Sequence, residues 1–252
     1  MTTLRDQLKA LGLCHIADGL DDLIALATKK RWGPTEILEH VARLEIEDRS
    51  RRSVERRLAR ARIGRFKPIA DFDWAWPKRI DRPAVEAALR LEFLDGAGNV
   101  VLVAPQGLGK TNLAKAIAYN AVLAGHSVRF VTAAQMLLDL AAQESARALD
   151  QRIRRYLRPA LLVVDEIGYL SYDSRNADLL FQIVSRRYEH KSLVLTTNLP
   201  FVDWPTVFPN ATSATALIDR LVHHADIIAI EGDSYRRRDA EADKKSRRKK
   251  AA

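Results

Sequence analysis

Leu161-Leu162-Val163-Val164 is apolar at every position, and Asn99 to Ala104, Ser127 to Thr132, Leu193 to Thr197 and Ile227 to Ile230 are similar short β-rich runs. A strand with one wet face alternates apolar and polar residues. A strand that does not alternate needs a helix layer on each side. The intervening sequence supplies such layers, with helices expected at Ala84 to Leu94, Thr111 to Ala124, about 134 to 157, Ala177 to Tyr188 and near Ala214 to His224. Strands alternating with helices in this way specify an α/β fold built on a doubly wound, mainly parallel sheet.

The preceding residues read differently. Leu4, Leu8 and Leu11 fall at i, i+4, i+7, and after Gly12 the spacing resumes with Ile16, Leu20, Leu23 and Ala27, as on the apolar faces of two short helices. Gly33-Pro34 interrupts, and Ile37, Val41 and Leu44 begin a third stripe whose proline suits a first helical turn. The continuation from Arg49 to Lys67 carries Arg49, Arg51, Arg52, Arg56, Arg57, Arg60, Arg62, Arg65 and Lys67 against a single acid, Glu55, with Val54, Leu58 and Ala61 as a narrow apolar face. A helix of this kind can lie along phosphates. Pro68, Phe72, Trp74, Trp76, Pro77 and Pro83 then rule out continuous helix. The expected organisation is a small helical, basic domain over 1–67, a linker over 68–83 whose tryptophans either stack on bases or pack on the adjoining core, an α/β domain over 84–235 and a disordered basic tail over 236–252.

Charge follows the same division. Residues 1–67 hold 15 Lys/Arg against 10 Asp/Glu, residues 236–252 hold 9 against 3, and the remainder holds 17 against 19, so the net charge of +9 lies in the flanks. Basic flanks around a near-neutral centre suit an enzyme with polyanion-binding appendages, and a merely solubilising surface is the alternative. No apolar run approaches the roughly 20 residues that span a bilayer, and the N-terminus lacks the layout of a secretory signal, so a soluble cytoplasmic protein with no membrane association is expected. The single cysteine, Cys14, excludes an intramolecular disulfide, and without paired Cys/His spacings no structural metal is expected.

Three segments carry chemistry. Ala104-Pro105-Gln106-Gly107-Leu108-Gly109-Lys110-Thr111 sits between a strand and a helix, the position of a phosphate-binding loop, in which backbone N–H groups cradle the β- and γ-phosphates of ATP, a lysine bridges them and a hydroxyl binds Mg²⁺. Pro105 to Asn112 are therefore the candidate nucleotide-binding residues, with Lys110 on phosphate and Thr111 on the metal; Ala104 departs from the usual glycine. Asp165 and Glu166 end an apolar run, where the first acid can hold the Mg²⁺ shell and the second can deprotonate water. Asn198 ends another such run and either bonds the γ-phosphate or the lytic water, or turns the chain before Leu199-Pro200. His223 and His224 suggest a metal or catalytic site, but on a helix adjacent residues point to different faces, which favours packing.

The order Gly107-Leu108-Gly109-Lys110-Thr111, Val164-Asp165-Glu166-Ile167-Gly168-Tyr169-Leu170, Thr197-Asn198-Leu199-Pro200-Phe201 and Leu217-Ile218-Asp219-Arg220-Leu221-Val222-His223-His224-Ala225 resembles the IstB family, ATPase helpers of insertion-sequence transposases, and less closely the DnaC helicase loaders and DnaA initiators. The likeness runs through the Arg-rich segment and Gly232-Asp233-Ser234-Tyr235-Arg236. It implies an AAA+ fold, Asn198 as first sensor, Arg220 as a finger reaching a neighbour's γ-phosphate, Arg236 as a candidate second sensor, a homo-oligomer on duplex DNA and a transposase partner. Without the resemblance, Arg220 reads as a surface salt bridge to Asp219 or Asp226. A helicase loader, or a DNA-architectural protein with a nucleotide site impaired at Ala104, are the alternatives.

Overall fold

The computed structural model describes residues 3–169, 171–209, 211–235 and 238. Leu170, the candidate second sensor Arg236 and, apart from Arg238, the basic tail lie outside the described residues. The chain divides into two compact units, Met1–Arg57 and Leu58–Ala252.

The first unit contains α1 (Leu4–Ala10), α2 (Cys14–Asp18), α3 (Leu20–Lys30) and most of α4 (Pro34–Ala61). A capping box opens α1: the Thr3 hydroxyl accepts from Asp6 N–H while the Asp6 carboxylate accepts from Thr3 N–H. The apolar stripes close only a small core. Ile16, Ala17, Leu23 and Ala27 are buried, whereas Leu4 and Leu11 stay 55% and 72% exposed. Two acids of α4, Glu45 and Asp48, are buried instead, and they pair with Arg49, Arg51 and Arg52 on the following turn and a half.

The boundary falls ten residues before the expected 67. α4 does not continue to Lys67, because Arg62 and Gly64 adopt left-handed backbone and Ala61 and Ile63 turn into the core of the second unit. The supposed linker also belongs to that unit. Arg79–Ile80 forms β1, paired antiparallel with β6 (Ala225–Glu231), and Phe72, Trp74 and Trp76 pack on the core rather than standing out for bases.

The sheet adds β2 (Asn99–Val103), β3 (Val128–Thr132), β4 (Leu161–Ile167) and β5 (Ser192–Thr197), in the order β1-β6-β2-β5-β4-β3, parallel except at β1. One face carries Val100, Leu102, Leu161, Val163 and Val194 against α5 (Arg82–Leu89) and α6 (Lys110–Leu123). The other carries Val101, Leu162, Val164, Leu193 and Leu195 against α7 (Ala133–Ala141), α8 (Ala146–Leu157), α9 (Ser174–Arg187) and α10 (Ala211–Val222). Each such fully buried Val or Leu contributes about 1.5 to 3 kcal/mol, which explains runs without alternation. The helical stretch expected over 134–157 is two helices, the second opened by Ser145, whose hydroxyl accepts from Ala148 N–H. α5 ends at Leu89, short of the expected Leu94, because Leu91 is left-handed.

Candidate functional site

Strand order creates the site. β5 lies between β2 and β4, so three motif-bearing strand ends that are distant in sequence meet at one edge of the sheet. After β2 the chain turns through Gly107 and Gly109, at φ of +84° and +88°, and enters α6 at Lys110. Lys110 Nζ donates to the carbonyls of Ala104 at 2.5 Å and Pro105 at 2.9 Å. Ala104 is 2% exposed within the core, and its N–H donates to Thr197 O. Its methyl therefore packs inward, among the core residues of the second unit.

β4 is irregular where it matters. Its register against β5 shifts between Val164 and Ile167, and Glu166 takes a left-handed φ of 63°. Such bulges re-aim side chains, and a non-glycine residue held there stores strain typical of functional sites. Asp165 is 3% exposed and Glu166 is exposed. Thr111 Oγ1 donates to Asp165 Oδ1 at 3.1 Å, Thr196 Oγ1 donates to the same oxygen at 2.5 Å, and Glu166 N–H donates to Thr196 Oγ1 at 2.9 Å. One hydroxyl thus holds both acids. Beyond them, Gly168 N–H donates to the Tyr172 hydroxyl at 3.0 Å, a phenol whose pKa burial raises, so that it stays neutral. At the end of β5, Thr197 Oγ1 closes a local turn with Leu199, accepting from its N–H and donating to its carbonyl, and this turn presents Asn198.

These ends open on a cavity of about 630 Å³, lined among others by Gly107, Lys110, Thr111, Glu166 and Asn198, a size suited to a small-molecule ligand. Gln106, Leu108 and Gly109 also line it; Pro105 does not, serving through its carbonyl. Asn112 lines the cavity but its amide is engaged by the main chain of Lys67, donating to Lys67 O and accepting from Lys67 N–H. It holds the covering segment in place.

That covering segment was not evident from sequence. Phe72 lies over Gly109, where an added Cβ would meet its ring at 2.8 Å, and Ser234 lies over Gly107, with Tyr235 N–H donating to Gly107 O at 3.0 Å. Trp76 Nε1 ties the two coverings together by donating to Asp233 O at 2.8 Å. The available signal was the density of aromatic residues in a stretch that proline bars from helix.

Arg220 is not among the cavity's lining residues. It lies half-buried on α10, its guanidinium 4.7 Å from the Phe181 ring centroid and donating to Ala216 O. The salt bridge to Asp219 or Asp226 is absent from the ion pairs of the described residues. The eight candidate DNA-contacting arginines are divided: Arg49, Arg51, Arg52, Arg56 and Arg57 belong to the first unit, while Arg60, Arg62 and Arg65 belong to the second, where Arg65 lines the cavity. His223 and His224 follow α10 in a turn, and their ring centroids are only 4.1 Å apart, so they do not diverge as helix residues would.

The profile of the family described as IstB-like ATP binding protein matches residues 6–243. The chain is 35% identical over 236 residues to a Pseudomonas aeruginosa protein of insertion sequence IS21 named for ATP binding, a match covering 94% of this chain and 89% of that protein. Among solved structures it is similar to DnaI, with a TM-score of 0.54 and 20% identity over 67% of this chain and 92% of that one. It is also similar to the DnaC helicase loader, with a TM-score of 0.50 and 16% identity over 68% of this chain and 97% of that one. The structural likenesses carry the AAA+ fold, and the sequence matches carry the kinship: the chain belongs to the IstB-like ATP-binding protein family.

Proposed function

We propose that the chain hydrolyses ATP at this cavity while assembled as a homo-oligomer on duplex DNA, and that it serves a transposase in the cytoplasm. The observation that carries the reading is the meeting of Lys110, Thr111, Glu166 and Asn198 around one cavity, with the buried Asp165 hydrogen-bonded to Thr111 behind it. Thr111 and Asp165 offer hard oxygen ligands 3.1 Å apart, a donor set that fits Mg²⁺ rather than a soft metal. When bound there, Mg²⁺ would neutralise charge on the phosphate oxygens. Lys110 balances the phosphates, Asn198 orients the lytic water, and Glu166 takes its proton as the water oxygen bonds to the γ-phosphorus and the bond to the β–γ bridging oxygen breaks, leaving ADP and phosphate.

The placement of Arg220 outside its own cavity supports a role toward the nucleotide of a neighbouring copy. Positive charge concentrated in the flanks supports contact with DNA phosphates. Arg49, Arg51 and Arg52 have their charge offset by Glu45 and Asp48, so within the arginine series the larger share of phosphate contact is assigned to the residues after Arg52. The kinship with an insertion-sequence protein supports the transposase as partner.

The test is phosphate release with and without duplex DNA. Wild-type protein should turn over ATP, Lys110→Ala should lose nucleotide binding, and Glu166→Gln should bind but turn over about 100-fold more slowly. Wild-type turnover no faster than that of the two variants would remove the enzymatic reading. Recovery of a replicative helicase instead of a transposase on co-purification would replace the partner.

A further inference from the structure

The turn after α10 brings together a second set of ligating side chains, away from the nucleotide cavity. Glu189, His223 and His224 each offer a donor atom, and the three lie within 4.8 Å of one another. His224 Nε2 is 3.8 Å from Glu189 Oε1, and the two imidazoles meet edge to face at 67°. None of the three lines the cavity around Lys110. We propose that they form a site for a transition-metal cation of the Zn²⁺ class, one that clamps the turn after α9 to the turn after α10.

Donors about 2.1 Å from a tetrahedral Zn²⁺ are about 3.4 Å apart. Closing from within 4.8 Å therefore asks only for small rotations of three exposed side chains. The backbone beneath them is already held on both sides. His223 N–H donates to Asp219 O, and His224 O accepts from Asn99 N–H at 2.7 Å. Glu189 has a left-handed φ of 59°, and the next residue, His190, donates its N–H to Arg187 O. A non-glycine residue fixed in this conformation is common where a ligand is clamped.

Outer partners and local field agree. The Tyr188 hydroxyl is 2.8 Å from His223 Nδ1, the kind of hydrogen bond that orients a ligating imidazole and multiplies metal affinity. α9 ends at Arg187 and α10 at Val222, so two helix C-termini, each carrying partial negative charge, converge near the set. Two imidazoles with one carboxylate select a borderline cation over Mg²⁺ or Ca²⁺, and three protein ligands leave a position for water. Because α10 also carries Arg220 one turn earlier, a bound ion would stiffen the end of the helix that presents that guanidinium.

The experiment is titration of the full chain with Co²⁺, followed by visible absorption, and with Zn²⁺ by calorimetry, both in excess Mg²⁺. One equivalent should bind, with the intense bands of a low-coordinate Co²⁺ site, and Zn²⁺ should raise the thermal midpoint. Glu189→Gln and His224→Ala should each weaken binding by more than the roughly 100-fold that losing an outer hydrogen-bond partner of a ligand can cost and abolish the thermal shift, while far-UV circular dichroism reports that they fold. Should His224→Ala fail to fold, Glu189→Gln decides alone, since it keeps the side chain's size. Absence of a bound equivalent in the wild type, or unchanged affinity in the folded variants, overturns the site.

Discussion

Two neighbouring cations, Arg186 and Arg187, show how far single residues can be read from sequence. Nothing in the local pattern separates them, yet Arg186 pairs at the surface with Asp150 while Arg187 is 1% exposed. Arg187 donates to the carbonyls of Tyr156, Leu157, Pro159, Ala160 and Ser192, joining the end of α8 to the starts of β4 and β5. Burial pushes its pKa down to about 10, still far enough above neutrality for the guanidinium to remain charged. Because the folded value lies below the ordinary one, the desolvation cost is carried in full below pH about 10 and eases only above it. Arg187→Met would leave five carbonyls short of a donor, and the expected loss is about 3 kcal/mol or more, read as a fall of about 6 to 12 °C in the thermal midpoint. A fall under about 2 °C would mean that water replaces the guanidinium. Gly109 is the opposite case, since its role was legible from the motif. Its φ of +88° and the Phe72 ring 2.8 Å from an added Cβ predict that Gly109→Ala weakens binding of a fluorescent ATP analogue by about tenfold or more while the helical signal is retained.

Elements were legible where burial on two faces imposed a pattern, and illegible where contacts distant in sequence decided. Every parallel strand overlaps the apolar run from which it was expected. β1, two residues long, exists only because β6 runs beside it. The break between α7 and α8 turns on one hydroxyl, Ser145, amid residues that otherwise favour helix. α4 is the least readable element, for its buried face is acidic. Asp48 accepts from Arg51 and pairs with Arg52, and these contacts, the Arg51 hydrogen bond foremost, hold its carboxyl below the ordinary carboxylate range. A depressed carboxyl contributes stability that is present above its unfolded pKa and lost as pH falls through the folded value. Asp48→Asn should therefore lower the resistance of the helical unit to urea at pH 7, with the difference fading below about pH 4. The indole resonance of Trp32, which lies in that unit, reports it. Equal urea midpoints at pH 7 would show that the ion pairs around Asp48 contribute nothing to the unit's stability.

At the scale of the molecule, the site arises from sheet order rather than from any one segment. Three motif ends converge because β5 inserts between β2 and β4, and the run of apolar strands implied a sheet without stating that order. The same topology leaves Arg220 outside the cavity of its own chain, so the proposed finger is assigned to the nucleotide of a neighbouring copy. Mixing tests this directly. Arg220→Ala protein keeps an intact nucleotide site but lacks the finger, and Lys110→Ala protein keeps the finger but lacks the site, so each alone should be nearly inactive on DNA. In an equal mixture, half of the sites are intact and half of those face an intact finger, which predicts recovery to about a quarter of the wild-type rate. Recovery should collapse on dilution below the assembly concentration. A mixture no more active than its components, at concentrations where the wild type is assembled and active, would place the finger in the same chain as its nucleotide and require another cation to do its work.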